Sequence, residues 1–317
     1  MMIHILFTGG TISMQRDVAA GGNVPAHGGE ALVRLAPGID RIAPYRIEDW
    51  ARMPACHFDH DRLWAMRERV REVAESGEVS GIVITHGTDI LEETTYLLDR
   101  TLDRRVPVAV TGAMRTSSDD GWDGPRNLRD AVAVAASPSS TGRGAMVVFA
   151  GKVFAGRTAV KSHATDLEAF AAPHAAPIGR VADGAVSYAA TAETTPAPIR
   201  LDSLRARVAH VPMVVGDNGS VLDLTRPGHD GVVIESFGSG NVPPGAVPAI
   251  GRWLEEGKPV VLASRCWWGQ VTPVYAFDGG GARTTAMGAI PAGPRTPSQA
   301  RMELAIALSA GVPYGSA

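Results

Sequence analysis

The sequence predicts an α/β protein, with a larger N-terminal domain built on a mainly parallel sheet flanked by helices and a smaller C-terminal α/β domain. Short apolar stretches alternate with amphipathic helical stretches, the pattern of such sheets. The length of 317 residues suits about two domains. Alanine, threonine and proline dominate from about residue 187, which is typical of a linker. We predict domains over 1–187 and 211–317, joined by a linker over 188–210.

The first elements are a buried strand over Ile3–Phe7, a mobile loop over residues 15–30 and a helix over Asp59–Ser76. The strand is an apolar run that ends in glycines, whereas the loop is rich in glycine and has no periodicity. The helix has apolar residues at helical spacing, Asp59 or Asp61 to cap its start, and Gly77 beyond its end.

The same signals recur further along the chain. Glu92 and Glu93 favour the start of a helix because they lie at its positive end, and Pro125 suits a first helical position. In the first domain these signals predict strands over 81–85, 106–111 and 145–150, and helices over 90–102 and 125–136. In the second domain they predict strands over 211–215, 232–237 and 259–264, and helices over 246–256 and 298–310.

Composition excludes several classes of function. A net charge of −3 gives no general attraction to nucleic acid or to acidic membranes. No run of 18 apolar residues occurs, so no transmembrane helix and no membrane partner is expected. The two cysteines, Cys56 and Cys266, belong to no CxxC pair, which favours a reducing compartment over a disulfide framework. The start of the chain has no signal-peptide pattern, so we expect a cytoplasmic protein.

Two glycine turns follow buried strands, Thr8–Thr11 and His86–Asp89. Open α/β sheets bind ligands at such turns, and glycine lets the backbone approach a ligand closely. For either turn alone, ordinary turn chemistry is the simpler interpretation. Neither the GxGxxG spacing nor the P-loop pattern is present in the first turn, so no nucleotide cofactor is expected.

The residues around these turns resemble the two signature motifs of the bacterial L-asparaginase family, in the stretches Phe7–Ser13 and Ile84–Thr94. Further blocks of that family have similar stretches here, in the same order, at Val110–Arg115, Asp123–Leu128, Gly156–Asp166 and Gly238–Asn241. The resemblance runs from Ile3 to about Gly311. It implies hydrolysis of an amino-acid amide without a cofactor, and an assembly into homodimers or homotetramers.

The resemblance implies that Thr11 is the catalytic nucleophile and that Thr88, Asp89 and Lys161 form a second catalytic group. A threonine hydroxyl is a weak nucleophile until a base takes its proton. Lys161 can be that base for Thr88 only when it is neutral, whereas a neighbouring Asp89 favours the charged ammonium. Lys161 is therefore either the base or a charged group that orients Thr88. The simpler alternatives are a turn threonine and a surface lysine.

Substrate recognition is expected to involve several further groups. The Asp89 carboxylate can hold the α-ammonium of the substrate, and it can also cap the following helix. Backbone N–H groups of the two glycine turns are candidates for an oxyanion hole. By resemblance, Ala113 meets the leaving amide and Asn241 reaches the site of a partner subunit. The substrate-binding candidates are Gly10, Ala55, Cys56, Gly87, Ala113 and Asn241.

The sequence departs from the family pattern at three places. Val24 stands where the family has a tyrosine in the loop after the first threonine, and Ala55 stands where it has a carboxylate-binding serine. A C-terminal glutamate has no match in Gly279–Ala282. Carboxylate recognition then falls to the backbone, Cys56, His57 or another group. We therefore expect weak substrate binding and poor activity on glutamine.

Two other stretches have alternative interpretations. Cys56–Asp61 contains metal-ligand side chains without a recognised ligand spacing, so we favour a capped helix start over a metal site. Arg265–Gly269 is aromatic, and we favour packing in the core or a turn over an interface. No metal is expected.

Together these features predict an L-asparaginase that converts L-asparagine to L-aspartate and ammonia through a threonine nucleophile. Two alternatives remain open. One is a related amidase acting on glutamine, a D-amino-acid amide or a dipeptide. The other is a catalytically silent protein that binds amino acids.

Overall fold

The computed structural model describes residues 2–189 and 196–316. It separates into two compact units, residues 1–198 and 199–317. Part of the linker predicted over residues 188–210 lies outside the described residues.

The first unit contains strands and helices in alternation. Its strands are β1 (Met2–Gly9), β2 (Met14–Asp17), β3 (Gly22–Pro25), β4 (Tyr45–Met53), β5 (Val79–Thr85), β6 (Val108–Thr111), β7 (Ala145–Phe149), β8 (Lys152–Ala155), β9 (Val160–Lys161), β10 (Phe170–Ala171), β11 (Gly179–Ala182) and β12 (Ala185–Tyr188). Its α-helices are α1 (Gly29–Leu35), α2 (His60–Glu75), α3 (Leu91–Thr101) and α4 (Gly124–Ala136).

Within the described part of this unit, one sheet of eight strands carries the core, in the order β12-β11-β8-β7-β6-β5-β1-β4. The pairings from β4 through β7 are parallel, and those from β7 to β12 are antiparallel. Ile3 and Ile5 of β1 and Val83 of β5 are fully buried, as strands covered on both faces require. The mixed α/β architecture that the strand–helix alternation predicted is confirmed.

The ends of the central strands lie level with one another. Phe7 of β1 pairs with Thr85 of β5, and Thr85 pairs with Thr111 of β6. Because these strands are parallel, the segments that follow them emerge from the same edge of the sheet. That edge is where open α/β sheets place ligands.

The helices begin where the sequence indicates. The Asp59 carboxylate accepts the N–H of Arg62 at 2.9 Å and caps α2, so the expected capping residue is confirmed. Pro125 lies in the first turn of α4. Glu92 and Glu93 occupy the first turn of α3, which has no side-chain cap at Ile90.

Two predictions for the first unit need correction. The stretch 15–30, expected to be a loop, forms the antiparallel hairpin β2–β3 and the start of α1. Its strands are largely exposed, so no apolar alternation marks them. β4 was not predicted either, because it is an edge strand whose charged side chains pair outside the core. For example, the Glu48 carboxylate meets the Arg69 guanidinium at 2.9 Å.

The second unit is a smaller α/β layer. Its strands are β13 (Val208–Pro212), β14 (Gly231–Ser236), β15 (Val260–Ser264) and β16 (Ile290–Pro291), which pair in parallel in this order. Its α-helices are α5 (Ser220–Thr225), α6 (Val247–Glu255), α7 (Gly281–Ala286) and α8 (Pro297–Ala310).

The core of this unit packs around Trp253, which is fully buried and donates its indole N–H to the Leu222 carbonyl at 3.0 Å. The strand predicted over 211–215 begins earlier, at Val208, and ends at Pro212. Val214 and Val215 lie beyond it and are exposed, so their apolar character does not report burial. Among the described residues, no helix is both long and apolar enough to cross a membrane.

Candidate active site

The two glycine turns touch each other at the carboxyl edge of the main sheet. A Cβ atom added at Gly10 would lie 2.4 Å from both the nitrogen and the Cα atom of Gly87. Gly10 also has a φ of +83°, a conformation that side chains with a Cβ rarely adopt. Only glycine therefore fits at position 10. Thr11 and Thr88 are the next residues in the two turns, so each directly follows a glycine of the Gly10–Gly87 contact.

Ala55 also packs against Gly87. A Cβ atom added at Gly87 would lie 2.6 Å from the Ala55 Cβ atom. Ala55 is buried in a 3-10 turn, whereas the neighbouring Cys56 is exposed. The position that lacks the serine of the family pattern thus lies directly against the glycine contact.

A third segment, after β6, joins the same place. A Cβ atom added at Gly112 would lie 2.4 Å from the His86 carbonyl oxygen and 3.3 Å from the Thr88 Cγ2 atom. Ala113 follows and is fully buried. The structure therefore brings Ala113 next to the segment that carries Thr88.

Two polar side chains hold this third segment. The Asp123 carboxylate accepts the N–H groups of Met114 and Arg115 at 3.0 and 2.9 Å. The Asn127 amide donates to the Gly112 carbonyl at 3.0 Å. Both residues lie in a stretch that resembles a block of the family, and no role was predicted for them. Polar side chains just before and within the start of a helix often bond nearby backbone groups, and this pattern could have indicated that they hold a loop.

Lys161 reaches the second turn from β9. Its Nζ atom lies 2.9 Å from the Thr88 Oγ1 atom and 3.1 Å from the Asp89 Oδ1 atom. Thr88 is buried and the Lys161 side chain is 17% exposed, whereas the Asp89 side chain is 63% exposed. The Lys161 ammonium can donate to the Thr88 hydroxyl, while the exposed Asp89 carboxylate remains accessible to a second cation.

Thr11 begins a 3-10 turn over Thr11–Ser13 and is partly exposed. Ser13 fixes that turn, because both its hydroxyl and its N–H donate to the Gly10 carbonyl, at 2.8 and 3.0 Å. Thr11 therefore lies in a turn whose Gly10 carbonyl is hydrogen-bonded to Ser13 and whose Gly10 backbone contacts Gly87.

The backbone amides of the site differ in their partners. The Gly10 N–H donates to the Met53 carbonyl at 3.2 Å. Within the described residues, the amides of Thr11, Gly87 and Thr88 have no hydrogen-bond acceptor. These three, and not the Gly10 amide, remain as donors for a developing oxyanion.

His86 fixes the orientation of the Thr88 amide, a role that sequence reasoning missed. Its Nδ1 atom lies 2.8 Å from the Gly87 carbonyl oxygen, and its Nε2 atom lies 3.3 Å from the Thr94 hydroxyl. Burial lowers the pKa of His86 to about 4, so the ring is neutral near pH 7. Since a carbonyl only accepts, Nδ1 carries the hydrogen. The C=O of Gly87 and the N–H of Thr88 share one planar peptide, so fixing the first aims the second.

The hairpin β2–β3 flanks the first turn. Val24 pairs with Gln15 in this hairpin and is partly buried, so no phenol is present at that position. His27, just beyond the hairpin, lies 2.7 Å from the Ser117 hydroxyl and stacks on Trp122. The hairpin is therefore tied to the segment after β6.

Asn241 lies in the second unit. Its side-chain oxygen accepts the N–H of Gly281 at 3.1 Å, and its backbone pairs with Phe237. The helix α7 begins at Gly281, in the stretch that lacks the glutamate of the family pattern. The Asn241 side chain is thus held by the start of α7.

The structure also shows the surroundings of the possible metal-ligand stretch Cys56–Asp61 and of the aromatic stretch Arg265–Gly269. Asp59 caps α2 and pairs with Arg62 at 2.9 Å, and the part of the chain that the structure describes contains no group of three or more metal-ligand side chains. Trp267 and Trp268 are 40% and 66% exposed. Core packing, one of the two favoured interpretations of this aromatic stretch, is therefore wrong, whereas a turn is consistent with the bends over residues 265–269 that follow β15.

Comparison with known proteins gives consistent matches over the whole chain. Residues 2–194 match the family model described as Asparaginase, N-terminal, and residues 207–314 match the Glutaminase/Asparaginase C-terminal domain. A probable L-asparaginase of Deinococcus radiodurans is 35% identical, over 98% of this chain and 93% of that protein. L-asparaginase 2 of Escherichia coli K12 is 32% identical, over 97% and 88%. A crystal structure of a probable cytoplasmic L-asparaginase from Campylobacter jejuni superposes with a TM-score of 0.83 at 28% identity, over 97% of this chain and 94% of that one.

Proposed function

Because the chain belongs to the asparaginase family, we propose that it is an L-asparaginase that hydrolyses the side-chain amide of L-asparagine to L-aspartate and ammonia. The observation that carries this proposal is the contact between the Lys161 Nζ atom and the Thr88 hydroxyl at 2.9 Å, beside the touching turns of Gly10 and Gly87. A hydroxyl, a lysine and a carboxylate at one glycine contact are the groups that amide hydrolysis needs.

The mechanism we propose is a double displacement. The Thr11 oxygen attacks the amide carbon, and the carbonyl oxygen becomes an oxyanion. The proton that the Thr11 hydroxyl gives up passes to the amide nitrogen, and the oxyanion then collapses with cleavage of the C–N bond, so that the nitrogen leaves as ammonia. Water then attacks the acyl-threonine ester, which restores the Thr11 hydroxyl and releases the carboxylate. The amides of Thr11 and Thr88 are the proposed donors to the oxyanion.

Lys161 and Asp89 divide the remaining work in this proposal. Lys161 contacts both Thr88 and Asp89, so it aligns the Thr88 hydroxyl and keeps the carboxylate in place. Because Asp89 is more than half exposed, its free lone pairs can hold the α-ammonium of the substrate. Direct attack by a water molecule that Thr88 positions is the second candidate route.

Substrate preference follows from the two absent polar groups. A hydroxyl is missing at Ala55, so the α-carboxylate has one donor fewer, and a lost hydrogen bond costs about 0.5–1.5 kcal/mol of binding. The phenol missing at Val24 removes a group that could organise the Thr11 proton. We propose a high Michaelis constant for asparagine and weak activity on glutamine. Glutamine, a D-amino-acid amide and a dipeptide remain the alternative substrates.

We predict ammonia release from L-asparagine at a rate at least about tenfold above that from L-glutamine, since the longer side chain misplaces its amide carbon. Steady-state ammonia assays on L-asparagine, L-glutamine, D-asparagine and an asparaginyl dipeptide test this. Substituting Ala55→Ser should lower KM for asparagine by restoring a hydroxyl. Micromolar KM for glutamine would contradict the proposed preference, and no turnover of any amide would favour a silent binding protein.

We propose that the protein assembles with further copies of itself through the second unit. Exposed aromatic side chains concentrate in one short stretch of that unit: Trp267, Trp268, Tyr275 and Phe277. Tyr275 and Phe277 also pack on each other with ring centroids 5.5 Å apart. Apolar groups of this size gain stability when they are covered. In such an assembly, Asn241 would reach the site of the partner subunit.

Trp268→Ser together with Phe277→Ser is expected to shift the protein toward a smaller species in analytical ultracentrifugation, because each substitution removes about 1.5–3 kcal/mol of apolar burial at a covered interface. Val18→Ser is the matched control, since Val18 is 90% exposed at the turn of the β2–β3 hairpin. An unchanged molar mass in the double variant, or a monomeric parent protein, contradicts the proposed surface.

We place the protein in the cytoplasm, on the likeness to the structure described as a probable cytoplasmic L-asparaginase. Its two exposed, unpaired cysteines, Cys56 and Cys266, suit a reducing compartment. Cell fractionation followed by ammonia assays of each fraction tests this placement.

A further inference from the structure

We propose that Glu92 positions Lys161 for its contact with Thr88, by accepting the Lys161 backbone N–H in a partly buried hydrogen bond. The inference rests on the proposed function, because it assigns a purpose to the Lys161–Thr88 contact. Within the described residues, Glu92 donates to and accepts from neither threonine hydroxyl, so its role is that of a positioning residue.

The geometry of β9 explains why Lys161 needs such an acceptor. β9 has only two residues and pairs with β10 on one side. The next N–H along the chain, that of Ser162, donates across the pair to the Ala169 carbonyl at 2.7 Å. Successive N–H groups of a strand point in opposite directions, so the Lys161 N–H points away from β10. There it meets the Glu92 Oε2 atom at 2.5 Å.

The Glu92 carboxylate therefore accepts the N–H that, in a wider sheet, would donate to a carbonyl of a neighbouring strand. Glu92 lies in the first turn of α3. Without its oxygen, the Lys161 N–H would be left without that acceptor, and an unmade hydrogen bond at a partly buried position disfavours the conformation that requires it. The position of the Lys161 backbone is thus coupled to the start of α3.

The same short segment also holds the far end of Lys161. Thr88 and Asp89 contact its Nζ atom, at 2.9 and 3.1 Å, and Glu92 holds its backbone. All three partners lie within five consecutive residues, 88–92, more than 65 residues before Lys161 in sequence. Residues 88–92 therefore form hydrogen bonds with both the backbone N–H and the Nζ atom of Lys161. These bonds set the distance between the Lys161 ammonium and the Thr88 hydroxyl.

Glu92 also carries a charge that changes near neutral pH. Burial first, and the neighbouring Glu93 next, raise its pKa to about 7, although the Lys161 N–H and the Lys161 charge oppose this rise. Asp89 is a further charged group bonded to the same lysine. A protonated Glu92 keeps a carbonyl oxygen as acceptor, so the hydrogen bond persists across the titration while its strength changes.

Lysine-selective ¹⁵N labelling tests the contact without any use of activity. Lysine occurs only at positions 152, 161 and 258, so the spectrum contains three backbone lysine signals. In the parent protein, the Lys161 amide shift is expected to titrate with a midpoint near pH 7, whereas Lys152 and Lys258 serve as internal references. Glu92→Gln should abolish that titration. A Lys161 amide that does not titrate, or that titrates equally in Glu92→Gln, overturns the proposal.

Kinetics provide the second test. Glu92→Gln preserves an acceptor, so kcat at pH 6 should stay within about threefold of the parent, whereas Glu92→Leu should lose roughly tenfold or more in kcat with little change in KM. Glu168→Gln is the control, because its carboxylate pairs with a different lysine, Lys152, at 2.8 Å. Equal kcat in Glu92→Leu and the parent overturns the proposal. If the parent hydrolyses no amide, the proposed function fails while the amide titration still decides the role of Glu92.

Discussion

Thr11→Ala is expected to reduce kcat for L-asparagine by about 10⁴-fold or more, with KM changed only a few-fold. Loss of a nucleophile removes the covalent route and leaves the rate supported by binding and the oxyanion donors alone. The fold should persist, because the Thr11 side chain is partly exposed and Ser13, not Thr11, fixes the turn at Gly10. Single-turnover ammonia release from saturating asparagine measures the effect.

Thr11→Ser is the matched control, since it keeps a hydroxyl on the Cβ atom and should retain measurable turnover. Under the alternative route, in which Thr88 positions a water molecule, Thr88→Ala should cost more than Thr11→Ala. A loss below about tenfold in Thr11→Ala therefore contradicts the double displacement. Retained aspartate binding in an inactive Thr11→Ala variant separates a catalytic loss from a folding defect.

The predictable parts of the fold are those in which one physical signal dominates. β1 and β5 are covered on both faces, so their apolar runs stand out in the sequence. α2 combines helical spacing with a capping aspartate at Asp59, and both signals were correct. The strands β2, β3 and β4 lie in a hairpin or at a sheet edge, where polar residues are tolerated, and their sequences contain no comparable signal.

The candidate site was only partly predictable, for a related reason. Glycine turns after buried strands identified the two segments, but their contact depends on the register between β1 and β5, which aligns Phe7 with Thr85. The supporting role of His86 depends on a hydrogen bond to its own neighbour, Gly87, that no spacing reveals. Lys161 and Thr88 are 73 residues apart in sequence. No pattern in the sequence predicted their contact, and only the family resemblance implied it.

Gly10→Ala is expected to destabilise the first unit by about 3–5 kcal/mol and to abolish most of the activity that remains in folded protein. Two costs add. Alanine at a φ of +83° and a ψ of −179°, a region that essentially only glycine occupies, is strained by roughly 1–3 kcal/mol. Its Cβ atom would also lie 2.4 Å from the backbone of Gly87, where only a backbone shift relieves the overlap. Denaturant titration and kcat per folded molecule measure the two effects.

Gly38→Ala is a control for a positive φ without overlap. Gly38 has a φ of +94° and a ψ of 0°, the left-handed region, whereas Gly10 has a ψ of −179°, and a Cβ atom at Gly38 meets no atom within 4 Å. It should therefore cost only about 1–2 kcal/mol and leave kcat unchanged. Gly87 is itself closely packed, because a Cβ atom added there would lie 2.6 Å from the Ala55 Cβ atom and 3.3 Å from the Gly10 Cα atom. The overlap must then part the segments that carry Thr11 and Thr88. Equal destabilisation in both variants, with kcat preserved in Gly10→Ala, would show that the two turns need not touch for catalysis.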